Sequence, residues 1–443
     1  MEAFKQDQLP MIIAATAVIL ILIFLIGSIS LAVERSKANK RLARQEAAEQ
    51  QQHEIWEKEQ YQVAEEADAL IAQLDYAGAL KVLEAFEGDP AKYPEVGKRL
   101  ESCRQELDNL VVWDDPSKVL NLSFQLLLAD TGRAFTGGYS DLINRNFVTV
   151  EEFGKILQQL YENGYVLVSQ YDIAEIKTNQ DGTMTYVPKE IYLPEGKKPV
   201  ILTQTNVNYN YYLVDPDQDG QPNANGSGFA ARLLVDEDGK FVNEMVAQNG
   251  KMVRGDYDLV PLLEKFIDTH PGFSYKGARA TLALTGNEGL FGYRDITGAD
   301  KEKAKEVADA LKAAGYVLAC YSYSNKDYSY NNTAVIRQDI ANWAEKVEPI
   351  IGKVDVFVFA QGADIGQPGT VYNGEKFDLL YQAGFRYFVG FCANGETWAN
   401  AYGDYFRQGR ILVNAPNMKK YAQWFAGMFD TEIVLDAARP AFY

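Results

Sequence analysis

YENGYVLVS at 161–169, LKAAGYVLAC at 311–320 and YQAGFRYFVG at 381–390 share one form. In each, an amphipathic helical run ends at a glycine (Gly164, Gly315 or Gly384), and an aromatic residue then opens an apolar strand. Glycine there supplies the left-handed cap that ends a helix and turns the chain into a strand. Working outward, further apolar strand candidates lie at 199–203, 280–285, 354–360 and 411–413, with helices expected at 150–162, 258–269, 300–314, 337–351 and 375–383. About seven apolar strands separated by helices predict an α/β fold, a mostly parallel sheet or barrel. Such folds carry their functional groups on loops after strand C-termini.

Those loops are Gln170-Tyr171-Asp172, Gln204-Thr205-Asn206, Gly286-Asn287-Glu288, Tyr321 to Asn325, Gln361 to Asp364, Cys392 to Glu396 and Asn414-Ala415-Pro416. They hold Asn, Gln, Tyr, Ser and Thr with a few isolated acids, and no histidine. The whole chain of 443 residues has two histidines, His53 and His270. A metal site wants His or clustered carboxylates, and a hydrolase triad wants a base beside its nucleophile. Neither pattern is present. Amides, hydroxyls and aromatics suit a sugar-binding cleft; they equally suit solvated loops, which composition alone favours.

The formal charge of −18 argues against nucleic acid as a partner. Cys103, Cys320 and Cys392 lie far apart and form no CxxC. They read as three unpaired thiols, with one disulfide among them as the alternative.

MIIAATAVILILIFLIGSISLAV, residues 11–33, carries no charge. At ~1.5 Å per residue it reaches about 34 Å, enough to cross a hydrocarbon core. Ser30-Leu31-Ala32 would satisfy the small-residue rule of a cleaved signal, but the run is too long for a signal core, so a single retained anchor is expected. Arg35, Lys37, Lys40, Arg41 and Arg44 crowd its C-terminal flank, which on the positive-inside rule places the remainder in the cytoplasm. From Glu34 to about Val111 the pattern is helical, and ADALIAQLDYAGALKVLEAF has the look of one tetratricopeptide-type hairpin. Solenoids need several such units, so a helical spacer or small bundle is expected. Its functional reading is self-association or partner docking.

Four segments carry a family likeness: PVILTQTN at 199–206, GDYDLVPLLEKFIDTHPGFSYKGARATLALTG at 255–286, ADALKAAGYVLACYSYSN at 308–325 and VFVFAQGAD at 356–364. Together they resemble polysaccharide deacetylases, in particular membrane-anchored members from Gram-positive bacteria. The likeness runs from roughly Lys118 to Tyr443 and includes VLDAARP at 434–440. It implies a distorted (β/α)7 barrel and divides the chain into a short tail (1–10), a transmembrane helix (11–33), a helical stalk or hairpin domain (34–112) and a deacetylase-like domain (113–443). It also implies a main domain outside the cell, against the flank charges.

Active relatives end one strand in an Asp-Asp pair, general base then metal ligand, and carry a His-Ser-x-x-His turn whose histidines complete the site. The metal polarises the acetamide carbonyl and activates water. Here the Asp-Asp positions fall on Thr205 and Asn206, and the His-Ser-x-x-His positions begin at Tyr321-Ser322 and end at Asn325. The later Arg-Pro-x-x-Gly region is reduced to Ala360-Gln361-Gly362, and Ile411-Leu412-Val413-Asn414 stands where the family places Leu-x-His. Asn206 and Asn325 offer neutral carbonyl oxygens and Tyr321 a phenol, a weak set for zinc. Thr205 is no general base. Such losses act together rather than additively.

The resemblance therefore implies a catalytically degenerate domain with no expected cofactor, its cleft kept for cell-envelope polysaccharide or peptidoglycan. Gln204, Asn208, Tyr209, Tyr321, Tyr323, Asn325, Gln361 and Asp364 are the candidate glycan-cleft residues. The alternatives are an active deacetylase of N- or O-acetyl groups, which would need zinc or another divalent metal, and a scaffold acting through the stalk. Two other signals are weaker. Asp215-Pro-Asp217-Gln-Asp219-Gly220 begins like a calcium loop, but position twelve is Gly226, so a turn-rich insertion is expected. Glu288, Asp364 and Glu396 read as isolated solvated acids rather than a rebuilt acid site.

Overall fold

A computed structural model describes residues 9–215, 217, 222–223, 225–392 and 394–441. The stretch read against a calcium loop falls largely outside these. Contacts divide the chain into two units: the chain to Asp68 with Gly78–Cys103, and Ala69–Ala77 with Arg104–Tyr443.

Helix α1 runs from Leu9 to Ala72. Its apolar N-terminal part is exposed, and it is long and apolar enough to cross a membrane. The hydroxyls of Thr16 and Ser28 within that part donate to the carbonyls of Ile12 (2.8 Å) and Phe24 (2.7 Å), so neither is left unpaired. Within the first unit the small residues Ala64, Ala67 and Ala79 are buried, as are Leu83, Val96 and Leu100. Tyr93 is the hub: its hydroxyl bonds His53 Nδ1 at 2.7 Å, and Trp56 and Phe86 meet its ring edge-on. Arg99 ties Asp68 (2.7 Å) and Glu95 (2.8 Å).

The second unit is built on seven parallel strands: β1 (Leu120–Phe124), β2 (Lys198–Thr205), β3 (Thr281–Leu284), β4 (Val317–Cys320), β5 (Val356–Val358), β6 (Tyr387–Phe391) and β7 (Tyr405–Leu412). Each pairs with the next in sequence, and β7 closes on β1 through Ile411↔Leu122 and Leu412↔Ser123. The result is a closed (β/α)7 barrel. Helices α2 (Val150–Glu162), α3 (Leu259–Thr269), α4 (Lys301–Ala313), α5 (Thr333–Lys346) and α6 (Glu375–Gln382) lie between strands in the sequence. Gly164, Gly315 and Gly384 take φ of 80°, 100° and 102°, the left-handed turn that the three junctions required.

Two strand assignments from the sequence change. YVLVS yields only the short strand Tyr165–Leu167, which pairs with the first residues of β2 and stands outside the ring. β3 takes the same edge of β2 higher up, starting at Thr281↔Thr203, so the barrel is distorted there. The seventh ring strand is LNLSF, whose Asn121 and Ser123 break the apolar run. The last strand also starts at Tyr405 rather than Ile411. All three cysteines are buried, and no disulfide joins them.

Alternation along each strand separates two cores. Leu122, Val200, Leu202, Leu282, Leu318 and Phe357 face the helices. Ile201, Ala283, Ala319, Val358, Val389 and Phe406 face the barrel interior. The polar residues sharing that inward phase bond one another: Thr203 Oγ1 donates to Asn121 Oδ1 (2.8 Å), and Asn121 Nδ2 to Gln408 Oε1 (3.1 Å). A polar plug of this kind is tolerated because its donors are paired.

Candidate functional site

Above the plug, at the C-terminal ends of the strands, the barrel opens into a cavity of about 550 Å³. All seven strands or the loops after them contribute. Ser123 and Gln125 come from β1 and its loop, Thr205 and Asn206 from β2, Thr285 and Glu288 from the loop after β3, and Tyr321, Ser324 and Asn325 from that after β4. Gln361, Phe391, Arg410 and Leu412 complete the circle. Four residues around this mouth are left-handed without being glycine: Asn206 (φ 61°), Ser322 (59°), Asn325 (53°) and Gln361 (58°). Such conformations cost energy and concentrate where a loop is shaped for function.

The loop after β4 is held from below by Asp339 of α5. Its carboxylate accepts from the backbone N–H of Tyr323 (2.7 Å) and Ser324 (3.1 Å), from the Ser324 hydroxyl and from the Tyr328 hydroxyl (2.9 Å). Tyr321 follows directly on β4 and keeps its inward phase, and its hydroxyl accepts from the Gln361 N–H at 2.9 Å. Gln361 Nε2 in turn donates to the Asn325 carbonyl at 3.3 Å. Tyr321, Asn325 and Gln361 are thus brought together, and Thr205 and Asn206 line the same cavity.

The other expected residues lie elsewhere. Gln204 has the outward phase of β2; there its amide donates to Asp258 Oδ1 at 2.7 Å. Tyr209, fully buried behind the cavity wall, donates to the other oxygen of Asp258 at 2.9 Å. Asn208 is buried beside it. Tyr323 has Lys346 over its ring, 5.4 Å from the centroid. Asp364 lines a neighbouring cavity of about 560 Å³, paired with Arg407 at 2.8 Å. Glu288 lies in the main cavity, Asp364 in the neighbouring one, and Glu396 in a third, bonded by Asn394 Nδ2 at 2.8 Å, so the three acids do not converge. His270 stacks on Phe266 at 4.3 Å, and neither histidine lines the cavity.

Sequence reasoning missed Arg410 and Thr285, whereas Asn210 and Tyr212, in the amide- and tyrosine-rich stretch Thr205 to Tyr212 that the sequence offers for sugar contact, do line the cavity. The signal for Arg410 was available: an arginine in the inward phase of a strand whose other inward residues are Phe406, Gln408 and Leu412. Arg410 is fully buried. Burial pushes its guanidinium down to about 10, against the pull of Tyr321, Cys392 and Asp364, so it stays cationic near neutrality. Asp258 behaves oppositely: burial pushes its carboxyl up to about 6, while the Leu127 N–H, Tyr209 and Gln204 pull it down.

The metal implied by the family likeness does not fit this donor set. The corresponding positions present two carboxamides and a phenol, and Tyr321 already accepts a hydrogen bond from the backbone of Gln361. Thr205 donates to the Phe124 carbonyl at 3.3 Å. Among the described residues no three His, Cys, Asp or Glu side chains form a metal-holding group.

No protein-family model matches the chain, and no curated protein matches it either. Two solved structures with which it shares a likeness are the deacetylase PplD of Streptococcus pyogenes in complex with acetate and a polysaccharide deacetylase from Bacillus cereus. The first is 14% identical over 69% of this chain and 97% of that one, with a TM-score of 0.36. The second is 11% identical over 69% of this chain and 68% of that one, with a TM-score of 0.35.

Proposed function

We propose that this chain is a membrane-anchored, polysaccharide-deacetylase-like protein that binds a cell-envelope glycan and has lost the metal-dependent hydrolysis. The observation that supports this reading most is the composition of the mouth cavity. A circle of amides, hydroxyls and aromatic rings stands where the family likeness calls for one acid pair and two imidazoles. Asn206, Asn210, Asn325 and Gln361 offer both donors and acceptors to sugar hydroxyls, and Tyr212 and Phe391 offer ring faces. Helix α1 supplies the anchor, with the main domain outside the cell, and the stalk is a candidate for self-association.

The test is calorimetry of the full chain in detergent against peptidoglycan fragments and chitin-type oligosaccharides, beside elemental analysis and an acetate-release assay. The expected result is binding with neither stoichiometric zinc nor acetate release. Stoichiometric zinc together with acetate release would replace this reading by that of an active deacetylase. As a positive control, the combined Thr205→Asp, Asn206→Asp, Tyr321→His and Asn325→His variant is expected to take up zinc that the wild type leaves in solution.

A further inference from the structure

Arg410 is a buried cation without an anion. Its Nε donates to Ser123 Oγ (3.1 Å), one Nη to the Val389 carbonyl (3.3 Å) and the other to the Phe359 carbonyl (3.1 Å). All three partners are neutral, as is Tyr321, which also interacts with the guanidinium, and the guanidinium lies 4.2 Å from the centre of the Phe391 ring. Among the described residues no carboxylate pairs with it. Asp364, the nearby acid, is committed to Arg407, to the Tyr372 hydroxyl (2.6 Å) and to the Gly366 N–H (3.0 Å). Glu288 belongs to the β3 side of the cavity, where it accepts from the Tyr211 N–H (2.9 Å) and Arg294 donates to its backbone carbonyl (2.6 Å). Arg407 balances Asp364, and Arg294 stands beside Glu288. One positive charge is left over, at the floor of the cavity.

A desolvated charge of this kind is costly unless something pairs with it. The excess is the more pointed in a chain of formal charge −18. A second feature of the same cavity agrees with it. The Thr285 hydroxyl, 1% exposed, lines the cavity and has no hydrogen-bond partner. The unneutralised guanidinium asks for negative charge, the Thr285 hydroxyl can donate to the acceptor that carries it, and the unpartnered Asn325 Oδ1 in the same cavity asks for a donor such as a sugar hydroxyl.

We infer that the cavity takes the carboxylate of an acidic saccharide at its Arg410 end. The inference rests on the glycan reading above and narrows it. The saccharide part follows from size and lining. About 550 Å³ is far more than a lone carboxylate fills and lies in the range of ligand pockets. Asn206, Asn325 and Gln361 stand ready for ring hydroxyls. The acidic part follows from the charge, since a neutral sugar would leave the cation as costly as before.

The test compares three ligands on the full chain in detergent, by calorimetry. They are an oligomer of N-acetylglucosamine, the equally long oligomer alternating with N-acetylmuramic acid, and the methyl ester of the latter. The second differs from the first by its lactyl carboxylates, and from the third by charge alone. The acid is expected to bind at least tenfold tighter than the ester or the neutral oligomer. In Arg410→Gln the acid-to-ester ratio is expected to fall to about one, and Thr285→Val to reduce acid binding severalfold. The wild-type acid–ester comparison stands even where Arg410→Gln fails to fold. Equal binding of acid and ester overturns the carboxylate while leaving the glycan reading intact. Binding of no oligomer overturns both. Sodium acetate binding as tightly as the acidic oligomer overturns the saccharide half.

Discussion

Asp258 shows how a single buried group ties this site's outer wall together. Its two oxygens collect the Leu127 N–H (2.8 Å), the Gln204 amide (2.7 Å) and the Tyr209 hydroxyl (2.9 Å), so two residues that read as cleft polarity in the sequence serve a carboxylate behind the wall. Burial raises its pKa in the folded chain to about 6 against an ordinary 3.8. The folded state therefore holds a proton between those values that the unfolded chain has released. Stability from this group rises as pH falls from about 6 towards 4, opposite in sign to an ordinary ion-paired aspartate. Two pKa units correspond to ~3 kcal/mol, taken as an order of magnitude. The difference in unfolding free energy between wild type and Asp258→Asn, by urea titration from pH 4.5 to 7.5, is expected to move in favour of wild type on acidification. A difference flat across that range would show that Asp258 titrates normally.

At the scale of elements, the C-terminal tail is fastened to α2 through one ion pair. Thr149 and Glu152 form a capping box at the start of α2. Glu152, completely buried, also accepts from Arg439 Nε (2.5 Å), Arg439 Nη2 (2.6 Å) and the Asp436 N–H (2.9 Å). Arg439 further donates to the Asn144 and Phe147 carbonyls (2.9 and 2.6 Å). Truncation would leave the carboxylate buried and uncompensated. Arg439→Ala is therefore expected to lower unfolding free energy by about 3–5 kcal/mol, and Glu152→Gln with Arg439→Met by clearly less, both measured by urea denaturation. The same scale explains what the sequence disclosed. Glycine-then-aromatic junctions are local signals, and β4 and β6 followed from them. LNLSF was hidden because Asn121 and Ser123 face a polar plug, which imitates a surface strand in a single sequence. The site was legible at Tyr321, Asn325 and Gln361, where loop position alone brings residues to the mouth. It was illegible at Gln204 and Arg410, where the deciding fact is which way one strand's alternation points, and that phase is set by partners distant in sequence, Phe124 and Leu282 for Gln204 and Ser123 for Arg410.

For the molecule as a whole, the sidedness of the main domain is the open consequence of two conflicting signals. Five basic residues follow the apolar segment of α1, which favours a cytoplasmic domain. The glycan reading needs the opposite, and long domains are translocated largely regardless of flanking charge. The buried thiols make this measurable. Cys103, Cys320 and Cys392 are all shielded, and burial pushes the Cys392 thiol up to about 12, so at neutral pH it is protonated and a poor nucleophile. The native chain should give little background with a membrane-impermeant maleimide. Glu237 lies in an exposed turn between two strands. Glu237→Cys is expected to label fully in intact cells, with no further gain on permeabilisation. Labelling that appears only after permeabilisation would put the cavity in the cytoplasm and remove envelope glycan as its ligand. Deletion of residues 1–33 is expected to release the chain from the membrane fraction, and its retention there would move the anchoring role away from α1.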